Sequence, residues 1–280
     1  MRDQTFMTLM KLLPKSALSA AVGKATRAPL PRAWHRAFMR AFAWRYRVDV
    51  GEAEHGLEGY ANFGQFFTRK LKPGLRPVED GERVVVSPVD GAVSQAGTMD
   101  RDQCVQAKGI SFPVGKLLGD DLSAHAFQGG TFATLYLSPR DYHRIHAPLG
   151  GKVLGYSYLP GEFWPVNPIS VRNKEALFCV NERLITWMDT PAGLSAVVAV
   201  GATCVSRIHA AYDDVVTHTG QPARIHRYEQ ALPVRKADEL GMFEMGSTVI
   251  LLFAAGKVRW DEWLQPEAAL RMGRRIGEVT

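Results

Sequence analysis

Apolar residues recur at helical spacing through the first 48 residues of the chain. Residues 4–13 are rich in Met and Leu and stop before Pro14, and a second apolar segment runs from about residue 16 to residue 24. Pro31 is well placed to begin a third helix, because its fixed φ suits the first helical turn. The pattern therefore predicts three N-terminal helices.

The third predicted helix is amphipathic. Three arginines lie four residues apart along one face, and three aromatic residues with the same spacing lie on the nearly opposite face: Arg32, Arg36 and Arg40 against Trp34, Phe38 and Phe42. A basic helix with aromatic anchors is typical of a segment that lies in a lipid interface. The alternative is that the aromatic face packs on the protein's own core, which is the commoner outcome for an amphipathic helix.

Beyond residue 83 the pattern changes to short apolar or alternating runs bounded by Gly, Pro, Asn or Asp, which are typical of β-strands. The predicted strands are residues 83–87, 132–137, 153–159, 184–188, 195–200 and 248–253. No long helical period separates them, so a β-sandwich or barrel is favoured over a βαβ sheet. The predicted fold class is α+β, mainly β: a sandwich- or barrel-like core preceded by amphipathic helices.

A short sequence repeat indicates two related β-units within this core. Residues 87–93 (Ser-Pro-Val-Asp-Gly-Ala-Val) and residues 147–153 (Ala-Pro-Leu-Gly-Gly-Lys-Val) share the pattern Pro-x-x-Gly-x-Val. We expect two equivalent turns in two units packed face to face.

Charge divides the chain into the same two parts. Hydrophobic residues at 46% and charged residues at 22% exclude disorder, collagen and coiled coil. The net charge is +6, and residues 1–48 hold ten Lys or Arg and one acid, which gives +9 there and leaves −3 on the rest. A basic balance admits nucleic acid, a membrane surface or an acidic substrate as partner. Its confinement to the N-terminal helices favours the membrane surface.

No apolar run reaches the length of about 18 residues that a membrane-spanning helix needs. Lys11 and Pro14 interrupt the apolar run near the start, so no signal peptide is expected. We expect a peripheral protein on the cytoplasmic side of the cell membrane. The three cysteines are widely spaced, fit neither a disulfide framework nor a zinc site, and indicate a reducing compartment. They are Cys104, Cys179 and Cys204.

Two histidines stand three residues apart directly after a predicted strand, in the segment Asp141-Tyr-His-Arg-Ile-His146. Loops that follow a strand are places where a rigid scaffold presents reactive side chains. His143 and His146 could bind a metal, but no CxxC or second His pair supplies further ligands. We therefore predict no metal site.

Two further positions offer chemistry but are weak signals when taken singly. Asp90 lies in a Pro-Val-Asp-Gly turn, where an Asp before Gly commonly serves only the turn. Ser247 follows Gly246 directly before a predicted buried strand, which equally fits an ordinary strand entry. Ser247 is not in a Gly-x-Ser-x-Gly motif, so an α/β-hydrolase is not supported.

Taken together, these motifs resemble those of the phosphatidylserine decarboxylases, pyruvoyl-dependent enzymes that make phosphatidylethanolamine. The resemblance covers nearly the whole chain beyond residue 60, in blocks that occur in order. The blocks are Ala-Asn-Phe-Gly-Gln-Phe-Phe-Thr-Arg (61–69), Ser-Pro-Val-Asp-Gly (87–91), Leu-Ser-Pro-Arg-Asp-Tyr-His-Arg-Ile-His (137–146), Pro-Gly-Glu-Phe-Trp-Pro-Val-Asn (160–167), Asn-Glu-Arg (181–183), Val-Gly-Ala-Thr (200–203) and Gly-Ser-Thr (246–248). Met245 stands where the family usually has Leu, a swap that conserves volume.

The resemblance implies a proenzyme that cuts itself between Gly246 and Ser247 into a β chain of residues 1–246 and an α chain of residues 247–280. The Ser247 hydroxyl would attack the Gly246 carbonyl with His146 as base, while Asp90 holds the His146 tautomer, as in a serine-protease triad. Loss of the Ser247 α-proton then eliminates the resulting ester. Hydrolysis of the imine that follows releases ammonia and leaves a pyruvoyl group as the cofactor.

The resemblance further implies that the amine of phosphatidylserine forms a Schiff base with this pyruvoyl group, which takes up the electrons as CO2 leaves. His143 is the candidate proton donor, because an unperturbed histidine titrates near neutrality. Phe163, Trp164 and Val166 are candidates for an apolar substrate site, with ordinary core packing as the alternative.

The expected organisation is a membrane-associating helical segment, residues 1–60, followed by a catalytic domain, residues 61–280. Expected partners are phosphatidylserine, an anionic membrane surface and the protein's own second chain, with a further homodimer left open and no nucleic acid. Two other functions stay open from the residues alone. One is a serine hydrolase or protease that uses Asp90, His146 and Ser247 in an uncut chain. The other is a β-sandwich carrier or nucleic-acid-binding module with a basic arm.

Overall fold

A computed structural model describes residues 2–28, 31–203, 207–244 and 248–280. Within these ranges the α-helices are α1 (Arg2–Leu12), α2 (Lys15–Arg27), α3 (Arg32–Tyr46), α4 (Phe63–Phe67), α5 (Val114–Leu118), α6 (Asp121–His125), α7 (Pro168–Asn173) and α8 (Leu177–Val180). Short 3-10 helices occupy Val50–Glu52 and Leu57–Gly59. The strands are β1 (Val84–Val86), β2 (Gly91–Thr98), β3 (Gln103–Ala107), β4 (Ile110–Pro113), β5 (Thr131–Tyr136), β6 (Arg144–His146), β7 (Gly151–Leu159), β8 (Arg183–Thr190), β9 (Gly193–Val200), β10 (Ile208–Ala210), β11 (Arg224–Val234), β12 (Glu239–Phe243), β13 (Thr248–Phe253), β14 (Val258–Trp260), β15 (Ala269–Leu270) and β16 (Arg275–Val279).

The three predicted N-terminal helices are present, and the third begins at Arg32, one residue later than predicted, with Pro31 as its N-cap residue. These helices lie against the β-rich part of the chain. Met7 of α1 is buried within the main hydrophobic core, and the Lys15 ammonium lies 4.3 Å from the centre of the Trp164 ring. None of the helices in the described ranges is both long and apolar enough to cross a bilayer.

Eight strands form the main antiparallel sheet, in the order β11-β7-β8-β9-β13-β5-β2-β15. β13 lies in the middle of this sheet, and all six of its residues are buried. Its sequence, Thr-Val-Ile-Leu-Leu-Phe, is apolar on both faces because each face is covered. Ile250 pairs with Thr134 on one side and with Val198 on the other. The predicted class, α+β and mainly β, is confirmed.

The sequence repeat corresponds to two equivalent positions in this single sheet. Its segments lead into β2 and β7, which are each the second strand from an edge. Gly91 and Gly151 have nearly the same backbone conformation, with φ of +152° and +155°. A Cβ atom would lie 2.2 Å from the Tyr136 carbonyl oxygen at the first position and 2.1 Å from that of Asp189 at the second. Only glycine permits both the φ value and the close approach.

Two hydrophobic clusters meet near the end of α4. The larger fills the space around the eight-stranded sheet, and the smaller joins α3 to α4 through the buried side chains of Met39, Ala43, Val48, Phe63, Phe66 and Phe67. Among the described residues, two three-stranded sheets, in the orders β10-β12-β6 and β1-β16-β14, and the two-stranded sheet β3-β4 complete the body. The first of these contains His146, and its strand β6 begins one residue after His143.

Candidate active site

Strand pairing brings the two histidines next to the segment that contains the predicted cleavage site. β6 includes His146 and begins one residue after His143, and it pairs antiparallel with β12, with Ile145 opposite Gly241. The Phe243 main-chain N–H donates to the His143 carbonyl at 3.0 Å. Because β12 ends three residues before Gly246, the histidines lie beside the strand that leads to it.

Met245, Gly246 and Ser247, like Cys204, lie outside the described residues. The described chain resumes at Thr248, which pairs with Tyr136 of β5 and Val200 of β9. β5 leads in turn through Leu137 to the loop that carries the histidines. The residues on either side of the predicted cleavage site are thus anchored in two different sheets.

His143 is fully buried. Its Nδ1–H donates to the Asp141 carbonyl at 2.7 Å, and its ring lies 4.1 Å from the ring of Phe67, centre to centre. Burial, together with the nearby Arg69 guanidinium, lowers the pKa of His143 from 6.5 to about 3. His143 is therefore neutral at pH 7. Its Nε2 carries a lone pair and has no hydrogen-bond partner among the described residues.

His146 has the same tautomer but a different environment at Nε2. Its Nδ1–H donates to the Ala237 carbonyl at 2.8 Å, and its Nε2 accepts from the Tyr142 hydroxyl at 3.1 Å. Burial lowers the pKa of His146, while the charges of Glu239 and Asp90 act in the opposite direction. His146 is thus a neutral histidine whose basic nitrogen is occupied.

Asp90 is buried, but its hydrogen-bond partners are not the predicted ones. Arg76 donates to both carboxylate oxygens, at 2.9 and 3.0 Å from Nε, and the Met272 main-chain N–H donates to Oδ1 at 2.8 Å. The expected hydrogen bond between Asp90 and His146 is absent from the described residues. The reason is that a forked guanidinium is the stronger partner for a buried carboxylate, while the Ala237 carbonyl already binds the His146 Nδ1–H. Asp90 reaches His146 through its charge alone.

The Arg76–Asp90 pair extends into a larger ionic network. Arg76 also donates to Glu52, at 2.7 Å from Nη2, and Glu52 accepts from the exposed Arg271 at 3.0 Å. Arg271 and Met272 belong to the segment after the predicted cleavage site. The network therefore ties the C-terminal 34 residues to the rest of the chain.

Two cavities adjoin the point where the described chain resumes. One of about 390 Å³ is bordered by Thr248, Tyr136 and Val166, with Lys108 and Arg172 also in its lining. The other, of about 300 Å³, is bordered by Phe42 and Tyr46 of α3, by Phe67, and again by Tyr136 and Val166. We refer to them as the Thr248 cavity and the α3 cavity.

The three predicted substrate-contacting residues occupy different environments. Val166 lines both cavities. Phe163 is instead buried against His218, with ring centres 4.4 Å apart, and the main-chain N–H and carbonyl of Trp164 are both hydrogen-bonded to the Asn181 side chain. Neither Phe163 nor Trp164 lines either cavity. Their positions correspond to the packing alternative that was left open for them.

Comparisons with known proteins show which family the chain resembles in sequence. The family model described as phosphatidylserine decarboxylase matches residues 63–278. The phosphatidylserine decarboxylase proenzyme of Myxococcus xanthus (strain DK1622) is 66% identical over 280 residues, which cover all of this chain and all of that protein. The proenzyme of Anaeromyxobacter sp. (strain K) is 55% identical over 280 residues, which cover 99% of each chain. The proenzyme of Azotobacter vinelandii is 44% identical over 287 residues, which cover all of each chain.

The chain belongs to the phosphatidylserine decarboxylase family. It is accordingly an enzyme, a carboxy-lyase. Within the described residues no group of three or more His, Cys, Asp or Glu side chains could hold a metal ion.

Several residues of the site were not singled out from the sequence. Tyr142 and Arg69 lie within the motif blocks that carried the resemblance, but nothing in those blocks indicates their hydrogen-bond partners. Arg76 lies 14 residues before Asp90, in a loop segment without a secondary-structure pattern. In the sequence, nothing distinguishes Tyr136 from the other residues of an apolar strand. Only the three-dimensional pairing of β5, β6, β12 and β13 brings these residues together.

Proposed function

We propose that this enzyme decarboxylates phosphatidylserine at the cytoplasmic face of the cell membrane, after cutting itself between Gly246 and Ser247. The observation that carries the proposal is the pairing of β6 with β12, which brings two neutral, buried histidines to the strand that leads to Gly246. The relatives' printed name, proenzyme, supports a cut precursor. The products would be a β chain, residues 1–246, and an α chain, residues 247–280.

In the proposed self-cleavage the Ser247 hydroxyl attacks the Gly246 carbonyl, so that the amide becomes an ester. His146 takes the hydroxyl proton, and Asp90 stabilises the resulting imidazolium. The described geometry supports an electrostatic role for Asp90, because its charge favours protonated His146 while Arg76 holds its oxygens. Tyr142 must release Nε2 of His146 before that nitrogen can act. The Ser247 α-proton and the ester bond are lost in a second step, and Gly246 leaves as a carboxylate.

The described residues that follow Ser247 in the chain fit the pyruvoyl group that the family implies. Thr248, the next residue, borders a cavity of about 390 Å³, and His143 offers an Nε2 that has no partner within the described residues. When formed, the pyruvoyl group supplies the electron sink for loss of CO2. His143 carries the proton between substrate atoms. The substrate ammonium must lose protons before its nitrogen can react, so Nε2 accepts one and returns it to the carbon that has lost CO2.

The exposed residues of the N-terminal helices support a membrane surface as the partner. Trp34 and Trp44 of α3 are 72% and 80% exposed, and Leu12 of α1 is 79% exposed. Large apolar side chains on a basic segment are the composition that inserts into an anionic lipid interface. The same helix lines the α3 cavity through Phe42 and Tyr46. A lipid could therefore pass from the bilayer along α3 toward Tyr136 and Thr248.

Intact mass spectrometry on the purified full chain tests the proposal. We expect two fragments, with the smaller beginning at residue 247 and lacking a free N-terminal amine, and release of CO2 from vesicles that contain phosphatidylserine. The Ser247→Ala chain should remain a single 280-residue species without activity. The matched control is Ser157→Ala, which removes another buried serine hydroxyl and should be cut and active as usual. An uncut chain that is fully active would contradict the proposal.

A further inference from the structure

Arg69 is a buried cation with no acidic partner. Only 4% of the residue is exposed, and no carboxylate lies within salt-bridge distance of it among the described residues. Its Nη2 donates to the carbonyls of Arg140 and Asp141, at 2.9 and 3.4 Å. Its Nε and Nη1 are buried without a hydrogen-bond partner in the described part of the chain. A buried charge left unpaired is strongly unfavourable, so this arrangement calls for a functional reason.

Arg69 and His143 share one hydrogen-bond acceptor. The Asp141 carbonyl accepts from the His143 Nδ1–H at 2.7 Å and from Arg69 Nη2 at 3.4 Å. The two side chains also rest on consecutive rings of α4, Arg69 at 5.4 Å from the centre of Phe66 and His143 at 4.1 Å from that of Phe67. A guanidinium remains protonated in proteins, so Arg69 is a fixed positive charge beside the imidazole.

Within the described ranges, the other elements that face His143 present no titratable group to it. From β12 it meets the main chain of Phe243, and from α4 it meets the Phe67 ring. Asp141 contributes its carbonyl, while its carboxylate accepts from the Ser138 N–H and hydroxyl, both at 2.7 Å. Among the described residues, Arg69 is therefore the charge that acts on this histidine.

We propose that Arg69 is a positioning residue that holds His143 in one state, with its proton on Nδ1 and its lone pair on Nε2. Two effects act together. The cation opposes a second positive charge on the ring, and the shared carbonyl requires a donor at Nδ1, so the neutral ring cannot place its proton on Nε2. Arg183 shows the contrast, since it is equally buried but satisfies its guanidinium with the carbonyls of Leu117, Lys116 and Asn181.

The state of His143 follows from the described contacts. Its consequence for proton transfer rests on the proposed function. A lone pair fixed on Nε2 is what a group needs in order to accept a proton from the substrate ammonium. Once Nε2 is protonated, the repulsion from Arg69 makes the imidazolium a stronger acid, which favours return of the proton to carbon. Arg69 would thus act on both halves of the transfer without touching the substrate.

The test is long-range ¹H–¹⁵N correlation spectroscopy of the histidine rings in the full chain, with His143 assigned by its loss in His143→Asn. In the wild-type protein we expect the neutral, Nδ1-protonated pattern from pH 9 down to about pH 4, where protonation begins because the pKa of His143 is about 3. In Arg69→Gln we expect protonation of His143 to begin about one pH unit higher, as for removal of a nearby like charge. Arg183→Gln is the matched control, and should leave the His143 signals unchanged.

Each outcome bears on the proposal. An unchanged His143 titration in folded Arg69→Gln would overturn it, and so would an Nε2-protonated or charged His143 in the wild-type protein at pH 7. The second measurement needs no variant, so it can overturn the proposal even where Arg69→Gln fails to fold. Because the spectra report on the ring and not on turnover, they test Arg69 independently of decarboxylation. In active protein, the acidic limb of the pH–rate profile should move with the His143 signals.

Discussion

His143 and His146 differ in the hydrogen-bond partner of one ring nitrogen, Nε2. Both donate Nδ1–H to a main-chain carbonyl, but Nε2 of His146 accepts from Tyr142, whereas Nε2 of His143 has no partner within the described residues. A nitrogen that is released only when a neighbour moves suits a reaction that happens once in the life of the molecule. A nitrogen that no described residue occupies suits a reaction that repeats at every turnover.

We expect substitutions of the two histidines to affect different reactions. His146→Ala should leave the chain uncut, because Ser247 then lacks its base. His143→Ala should still cut, yet decarboxylation should fall by about 100-fold or more, as is typical for loss of a proton-transfer group. Intact mass measures the first effect and CO2 release the second. If His143→Ala stays uncut, the assignment of one histidine to each reaction is wrong.

The buried histidines also predict how stability depends on pH. The pKa of His143 is about 3 in the folded protein, against the ordinary value of 6.5 that it regains on unfolding, so below pH 6.5 the unfolded chain takes up a proton that the folded protein cannot. The free energy of unfolding should therefore fall as the pH falls. For His143 alone the loss between pH 7.5 and pH 5.5 is about 1.4 kcal/mol.

Chemical denaturation of the uncut Ser247→Ala chain measures this loss, and His143→Gln should reduce it by about 1.4 kcal/mol. The lowered pKa of His146 acts in the same direction, so part of the loss should remain in that variant. A free energy of unfolding that rises on acidification through this range would contradict the neutral state of the buried rings.

At the scale of elements, the loop before β1 and the segment before β16 are joined through Asp90. The Arg76 side chain is 6% exposed and connects Asp90 to Glu52, while Arg271 reaches the same Glu52 from the surface with its side chain 64% exposed. A buried ion pair and an exposed one thus share a single carboxylate.

This arrangement allows a matched comparison. Arg76→Met should lower the free energy of unfolding by about 3–5 kcal/mol, because it leaves Asp90 buried and unpaired. Arg271→Met should lower it by less than about 1 kcal/mol, because its ion pair is exposed to solvent. Denaturant titration of both variants in the Ser247→Ala background provides the measurement. Equal losses from the two variants would mean that the network is not anchored at Asp90.

α3 presents two different faces, one buried and one exposed. Met39 and His35 point inward and are almost fully buried, while Trp34 and Phe38 are 72% and 53% exposed. Phe42 packs against Phe63 at a ring distance of 4.8 Å. The sequence offered lipid contact and core packing as alternatives for the aromatic face. The structure divides that face between solvent and the α4 cluster.

Substitutions on the exposed face should change lipid binding alone. Trp34→Ser combined with Trp44→Ser should weaken binding to vesicles of anionic lipid while self-cleavage and stability stay unchanged. Met39→Ala is the control for the buried face, and should cost about 2–5 kcal/mol of stability. Vesicle sedimentation and denaturation distinguish the two. Removal of residues 1–48 would be less informative, because it also uncovers Phe63 and Phe67.

At the scale of the molecule, the fold was predictable where residues are buried on both sides. Residues 248–253 were predicted as a strand and form β13 with the same bounds, because an unbroken apolar run of this length is best buried as a strand that is covered on both faces. β11 (Arg224–Val234) was missed because most of its side chains are exposed at a sheet edge, and its first seven residues, Arg-Ile-His-Arg-Tyr-Glu-Gln, are mostly polar. β2 was missed because its Gly, Ser and Gln residues resemble a loop.

The candidate site was predictable in its residue types and not in its contacts. The motif blocks pointed to Asp90, His143 and His146, but not to Arg76 as the partner of Asp90 or to the Ala237 carbonyl as the partner of His146. Those contacts join segments 14 and 91 residues apart, and no local pattern encodes which of several acceptors a buried donor will meet. Hydrogen-bond competition in the folded state decides it.

The central place of β13 has a consequence for how the protein ages. Under the proposed cleavage the precursor folds as one chain, but its product would have to fold from two, since the strand between β5 and β9 would then belong to a separate 34-residue peptide. Recovery from unfolding would become a second-order process that slows on dilution. The precursor would refold after unfolding, so its equilibrium stability would determine how much of it stays folded. The cut enzyme would stay folded only because it unfolds slowly.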